Sequence, residues 1–223
     1  MAIAKDLLTL RWLGVGGIEL HYQGTTLLVD PFLTRPYLGR LIFLPLHPDQ
    51  RLISKIVSEA DGILITHAHY DHLMDVPVIL AMTGAKAFGS RSTVQILEVN
   101  GVDNQQCQIV APNEKYHIGA FQFQALLGGH ISLPFLSKPK PLEKFKAPLR
   151  FWDYQMDVCY SFFIQTNSHS ILVWHNPSAA DAPAAQILLF DTDMSDSELK
   201  TLITRVQPNF IIPIHWDNFF RSI

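Results

Sequence analysis

The apolar run Gly62-Ile63-Leu64-Ile65-Thr66, with the residues that follow it, constrains the fold more tightly than any other stretch of the chain. A strand of that kind is buried on both faces, and such strands lie inside sheets that carry other elements on either side. Four side chains of metal-ligand type come directly after it, in His67-Ala68-His69-Tyr70-Asp71-His72. At the end of a strand, a loop can turn them towards one point. Imidazole and carboxylate donors suit zinc, and also iron or manganese. Two alternate histidines with a further Asp-His pair can supply two adjacent ions, each needing three or four protein ligands. A lone histidine here would read as an ordinary polar loop residue; four ligand types at this spacing do not.

The flanking segments show what kind of sheet the strand joins. Upstream, Leu7–Leu13 reads as a strand and Gly14-Val15-Gly16-Gly17 as a turn. Ile18, Leu20 and Tyr22 then alternate with Glu19, His21 and Gln23, the period of a half-buried strand. Gly24 breaks the run, and Thr25–Val29 is a third strand ending at Asp30-Pro31, which makes a β-meander at the edge of a sheet. The period becomes helical at Leu52, Ile53, Ile56 and Val57. Beyond the histidines come a helix near Val76–Met82, a strand at Ala87–Phe88, a helix at Thr93–Val99 stopped by Asn100-Gly101, and a strand at Gln108–Ala111. Lys115–Leu127 reads as a hairpin turning at Gly119, and further strands fall at Tyr160–Gln165, Ile171–Trp174, Ile187–Phe190 and Phe210–Ile214. Ser195-Asp196-Ser197-Glu198 is a capping box opening a helix towards Val206. Strands alternating with helices imply crossover connections and a mixed sheet with helices outside.

Composition sets outer limits. A chain of 223 residues, 48% apolar and 17% charged, supports a substantial core in a single domain over residues 1–223 and excludes a disordered chain. The net charge of −3 argues against a dedicated nucleic-acid binder, whose affinity rests on neutralising phosphates. Cys107 and Cys159 are too few for a disulfide scaffold and read as reduced thiols in core strands. With no targeting segment and no apolar run of membrane-spanning length, the expectation is a soluble, cytoplasmic protein. Gly16-Gly17 is no dinucleotide fingerprint, since no helix follows it, and there is no Gly-x-Ser-x-Gly elbow. Residues 131–153 stand apart. Pro134, Pro139, Pro141 and Pro148 exclude a regular element there, and Lys138, Lys140, Lys144, Lys146 and Arg150 interleave with Phe135, Leu136, Phe145, Phe151 and Trp152. This reads as a long loop or lid over one end of the fold.

His67-x-His69-x-Asp71-His72 after an apolar strand resembles the signature of the metallo-β-lactamase superfamily. Trp12-Leu13-Gly14 through Leu28-Val29-Asp30-Pro31 resembles its opening strands, and Ile212-Pro213-Ile214-His215-Trp216-Asp217 the C-terminal ligand motif of its broad hydrolase branch. The resemblance implies an α/β, four-layer αββα sandwich of two mixed sheets, with metals held at one edge by loops. It implies that His67, His69 and a later histidine hold one ion, while Asp71, His72 and His215 hold a second. His130 best matches the later histidine, following Ala125-Leu126-Leu127-Gly128-Gly129, with His117 as runner-up. The superfamily usually bridges its two ions with an aspartate. The matching place here reads His175-Asn176-Pro177-Ser178-Ala179, where Ser178 stands in the aspartate's position, and a hydroxyl bridges two cations poorly. Three explanations stay open: one ion bound tightly and a second weakly, Asp181 reaching in, or Asp191 or Asp193 substituting. The first is favoured, with Asp191 and Asp193 assigned to the turn before the capped helix and His175 available for recruitment. Asp30 either shapes a turn or fixes the tautomer of a ligand imidazole.

The function these residues imply is metal-dependent hydrolysis with one or two zinc ions, or manganese or iron, at an ester, lactone or phosphodiester-type centre. His69 and Asp71 are the expected catalytic positions, with Asp71 orienting the attacking water. The basic, aromatic loop suggests a small-molecule substrate that is anionic or amphiphilic; oligomeric state is not readable. The competing readings are a non-catalytic metal- or ligand-binding protein and a diiron redox enzyme on the same fold.

Overall fold

The structure, a computed structural model, describes residues 6–129, 147–175 and 178–217. His130 and most of the 131–153 segment therefore lie outside the described residues.

The first half of the chain builds one sheet. Strands β1 (Thr9–Gly14), β2 (Gly17–Tyr22) and β3 (Thr25–Val29) form the antiparallel meander. Helices α1 (Leu38–Phe43) and α2 (Gln50–Ile56) then lead to β4 (Gly62–Leu64), which pairs parallel with β3. Helices α3 (Tyr70–Leu73) and α4 (Val76–Thr83), strand β5 (Lys86–Gly89), helix α5 (Arg91–Val99) and strand β6 (Cys107–Ile109) complete it, in the order β1-β2-β3-β4-β5-β6. The second half builds a sheet ordered β12-β11-β10-β9-β8-β7 from β7 (Lys115–Ile118), β8 (Phe121–Leu127), β9 (Tyr160–Gln165), β10 (Ser170–Trp174), β11 (Ile187–Asp191) and β12 (Phe210–Ile214), with α6 (Asp196–Val206) before the last strand. There β7 to β10 are antiparallel neighbours, and β10, β11 and β12 run parallel.

Strand periodicity sorts the apolar residues into layers. Leu28 and Ile63 face a core shared with Ile53 of α2, Ile79 of α4 and Leu97 of α5. Their neighbours Leu27, Val29 and Leu64 face the other way, into a core shared with Phe123, Phe162, Val173 and Leu189 of the second sheet. Leu172, Trp174 and Leu188 pack outward against Leu202 and Val206 of α6. Each central strand is buried on both faces, which is why it reads as a continuous apolar run. Helices, sheet, sheet and helix make the expected four-layer αββα sandwich. At the inter-sheet face, Gly62 sits so close to Ile118 that a Cβ on it would overlap the Ile118 Cδ1.

Two local expectations need correction. The strand expected to run to Thr66 ends at Leu64, because the backbone leaves the ladder to tie the two sheets together. Thr66 N–H donates to the Asp30 carboxylate at 2.8 Å, and the Thr66 carbonyl accepts Tyr160 N–H of β9 at 2.8 Å. Helix α1 has no counterpart in the sequence pattern: within it only Leu41 is buried, so the segment carries no apolar period. Among the described residues, no helix is long and apolar enough to cross a membrane.

Candidate metal centre

The carboxyl ends of the parallel strands in both sheets meet at one edge of the sandwich, the usual place for a site in parallel-stranded folds. Asp30 follows β3. It is fully buried, adopts a left-handed backbone (φ 44°), and donates its N–H to Leu64 O at 3.0 Å. Asp30 sits at the turn and its carboxylate also reaches the histidine cluster. Its Oδ2 accepts from the Thr66 hydroxyl at 2.5 Å and from His72 Nδ1 at 2.9 Å. Because Thr66 gives its one hydroxyl proton to Asp30, it receives rather than donates at His67 Nδ1, 3.0 Å away. Asp30 thus fixes His72 directly and His67 through Thr66, each with Nδ1 turned away from the centre.

His67, His69 and His72 are all buried. His67 Nε2 and His69 Nδ1 face each other at 3.1 Å. After His69 the backbone enters the short helix α3, which brings Asp71 back beside His72, with Oδ2 to Nε2 at 3.4 Å. Ligand atoms of Asp71, His72 and His215 lie within 4.8 Å of one another.

The second sheet supplies the rest. His175 follows β10 and His215 follows β12, on either side of Asp191 at the end of β11. The strand register places them there: Trp174 pairs with Phe190, and Asp191 pairs with Ile214. One oxygen of Asp191 accepts from His215 Nδ1 at 2.6 Å; the other takes His175 Nδ1. The assignment of Asp191 to the turn before the capped helix is therefore incomplete. It does close that turn, its carbonyl accepting Met194 N–H at 3.3 Å, but its carboxylate belongs to the histidine cluster. His215 adopts φ 58° and donates its N–H to Val15 O at 3.0 Å. Its neighbours brace that turn: Trp216 stacks on Trp12 with ring centres 4.8 Å apart, while Asp217 accepts Val15 N–H at 3.0 Å and pairs with Arg35 at 2.6 Å. Gly16 leaves the room His215 occupies, since a Cβ there would come within 2.8 Å of His215 Cε1 and 3.4 Å of His72 Cε1.

His175 is the residue whose place sequence reasoning underrates. It is 3% exposed, anchored by its N–H to Ser161 Oγ at 2.8 Å, and its ring centre lies 6.3 Å from His67, 6.4 Å from His72 and 6.0 Å from His215. Its Nε2 is buried with no hydrogen-bond partner among the described residues. Ser178 is exposed, and its hydroxyl accepts Ala180 N–H at 3.4 Å. Asp181 and Asp193 are exposed, and His117 is an exposed residue of β7.

Charge runs through the cluster in opposed pairs. Burial would push the His72 imidazole down, but the Asp30 and Asp71 carboxylates outweigh it and hold it well above the usual histidine range. Burial would likewise raise Asp71, yet the imidazoles of His72, His69 and His215 hold its carboxyl well below the carboxylate range. His175 and Asp191 repeat the pattern: each is disfavoured as an ion by burial, and each is kept charged by the other. Cys159 is different. Burial, with Asp30 and Asp191 nearby, pushes its thiol well up, and it stays a packing residue 3.9 Å from His67 Nδ1. Burial pushes the Cys107 thiol up to about 11.

The family model of the beta-lactamase superfamily domain matches residues 25–173, well over half of the chain. A UPF0173 metal-dependent hydrolase of Methanopyrus kandleri is 31% identical over 96 residues, a match that spans 43% of this chain and 36% of the relative. The chain thus covers little more than a third of that curated relative's length. Among solved structures, Igni18, a metallo hydrolase from Ignicoccus hospitalis, shares the fold with a TM-score of 0.65 at 17% identity, over 97% of this chain and 86% of that one. The diiron β-hydroxylase CmlA from Streptomyces venezuelae does so with a TM-score of 0.57 at 15% identity, over 95% of this chain and 45% of that one. With Asp30 and the His67–Asp71–His72 cluster inside the matched span, the chain belongs to the metallo-β-lactamase superfamily.

Proposed function

We propose that the protein is a metal-dependent hydrolase, a single domain acting on a small molecule with an ester, lactone or phosphodiester-type bond. The observation that carries this reading is the convergence of Asp71, His72 and His215 within 4.8 Å, beside the His67–His69 contact at 3.1 Å. Such a donor set fits zinc, and the orienting carboxylates Asp30 and Asp191 behind the histidines are what ligand imidazoles usually carry. His67 and His69, with His130 as the expected third donor outside the described residues, would hold one ion; Asp71, His72 and His215 would hold another. When bound, ions of this class generate a nucleophile at neutral pH and polarise the bond to be cleaved.

The chain's own residues do the positioning. Asp30 and Asp191 fix their imidazoles with Nδ1 outward, so that Nε2 faces the centre. Asp71 stays ionised beside the imidazoles, which suits it to orient the attacking water by accepting a hydrogen bond from it. An amphiphilic, anionic substrate is supported by the exposed Leu38, Ile42 and Phe43 of α1, alongside Arg150, which donates to Phe43 O at 2.9 Å. The relatives named as metal-dependent hydrolases support the reaction class.

The test is elemental analysis of protein purified without chelator or nickel, followed by turnover of a panel of phosphodiesters, lactones and thioesters. One or two ions per chain are expected. His69→Ala and Asp71→Ala should each lower turnover by at least roughly a thousandfold while leaving the circular dichroism unchanged. Turnover retained in metal-free His69→Ala protein sinks the proposal.

A further inference from the structure

The geometry points to His175 as a direct metal ligand, supplying a neutral nitrogen donor from the end of β10. The inference rests on the metal-centre reading above and adds a residue to it.

Tautomers come first. His175 gives its Nδ1 side to Asp191 Oδ2, as His215 gives its Nδ1 to Asp191 Oδ1 and His72 gives its Nδ1 to Asp30. In each neutral ring a proton on Nδ1 leaves a lone pair on Nε2. Asp191 and Asp30 thus hold all three rings by Nδ1; His72 Nε2 faces Asp71 Oδ2 at 3.4 Å, and the His175 ring centre lies 6.4 Å from His72 and 6.0 Å from His215. Once an imidazolium of this kind gives up its proton, its Nε2 lone pair is available to a metal ion, and one ion can take several such nitrogens at once. Asp191 treats His175 and His215 alike, one carboxylate oxygen each, and so holds them as the same kind of donor. An orienting carboxylate behind an imidazole is the usual support of a ligand histidine.

Burial adds a second constraint. A buried polar atom left unsatisfied is unfavourable, and His175 Nε2 is such an atom among the described residues. The main chain is pinned by its N–H bond to Ser161 Oγ and by Gly129 N–H, which donates to its carbonyl at 2.5 Å, and the ring itself is held at Nδ1 by Asp191. It therefore has little freedom to turn Nε2 elsewhere. The resulting donor set is rich in imidazole, with Asp71 the one carboxylate pointing inward among the described residues. Such a set favours zinc over manganese, which prefers oxygen donors.

Zinc titration of chelator-treated protein, with the full chain labelled with ¹⁵N-histidine, tests this. In the unsubstituted protein, the His175 Nε2 resonance should move into the metal-bound range as zinc is added. Calorimetry on His175→Gln should show the loss of one equivalent, or weakening of one ion by more than about 100-fold; loss of an outer hydrogen-bond partner, as in Asp191→Asn, costs roughly 10–100-fold. If zinc is taken up, the other cluster histidines shift and His175 Nε2 does not, the inference is overturned while the metal centre stands. It is overturned equally if His175→Gln binds zinc like the unsubstituted protein. If no zinc is taken up, the metal-centre reading falls, and this inference with it.

Discussion

Asp30, Thr66 and Asp191 do not face a reacting group, yet they decide which nitrogen each histidine presents. A carboxylate at Nδ1 fixes both ring orientation and tautomer, and a hydroxyl can pass that constraint one residue further, as Thr66 does for His67. Gly16 contributes by what it lacks. Gly16→Ala puts a methyl 2.8 Å from His215 Cε1, so the ring must move. We expect zinc affinity to fall about tenfold or more and turnover by up to about 100-fold, as misplaced catalytic groups cost. The melting temperature should barely change, and calorimetry with a thermal melt reads both. The contiguous part of this cluster, His67 to His72, was legible because its spacing alone makes a site. Asp191 was not: its partners His175 and His215 lie 16 and 24 residues away, and only the register of β10, β11 and β12 brings them together. The Arg35–Asp217 pair was hidden by the same kind of distance.

Among the elements, β4 shows how a sheet can end early to make a site. Two residues past its end, Thr66 bonds to Asp30 and to β9, so the loop carrying the histidines is held by both sheets at its root. Strand positions were legible through their period, since each central strand alternates between two cores. Helix α1 was not legible, because a six-residue helix with one buried side chain leaves no periodic trace. The close approach of β4 to β7 yields a prediction. Gly62→Ala forces a methyl into Ile118, an overpacking that costs about 1–3 kcal/mol. The melting temperature should drop by several degrees, and pairing the change with Ile118→Val should restore part of the loss. A double variant that melts lower than Gly62→Ala by the full cost of Ile118→Val alone would show that the two residues do not interact.

For the molecule as a whole, the buried charges set an acid and an alkaline limit in the metal-free state. Asp71 and Asp191 are depressed below their ordinary 3.8, so their contribution is fully present above that pH and is lost as pH falls towards their folded values. His72 and His175 are raised above 6.5, so theirs is fully present below that pH and is lost as pH rises through their folded values. Chelator-treated protein should therefore be most stable between about pH 4 and 6.5. A bound ion needs those histidines deprotonated, so the stabilisation it adds should grow with pH. Melting curves with and without zinc from pH 5 to 9 check this; a gap that narrows with rising pH would contradict it.

That the strand ends converge from two sheets has a consequence for assembly. Neither half of the chain owns the centre. Asp30 and His67 to His72 sit on one sheet, and His175, Asp191 and His215 on the other. A chain with both sheets formed but misdocked carries the donors as two separate, incomplete sets. Full metal retention therefore counts correctly docked molecules.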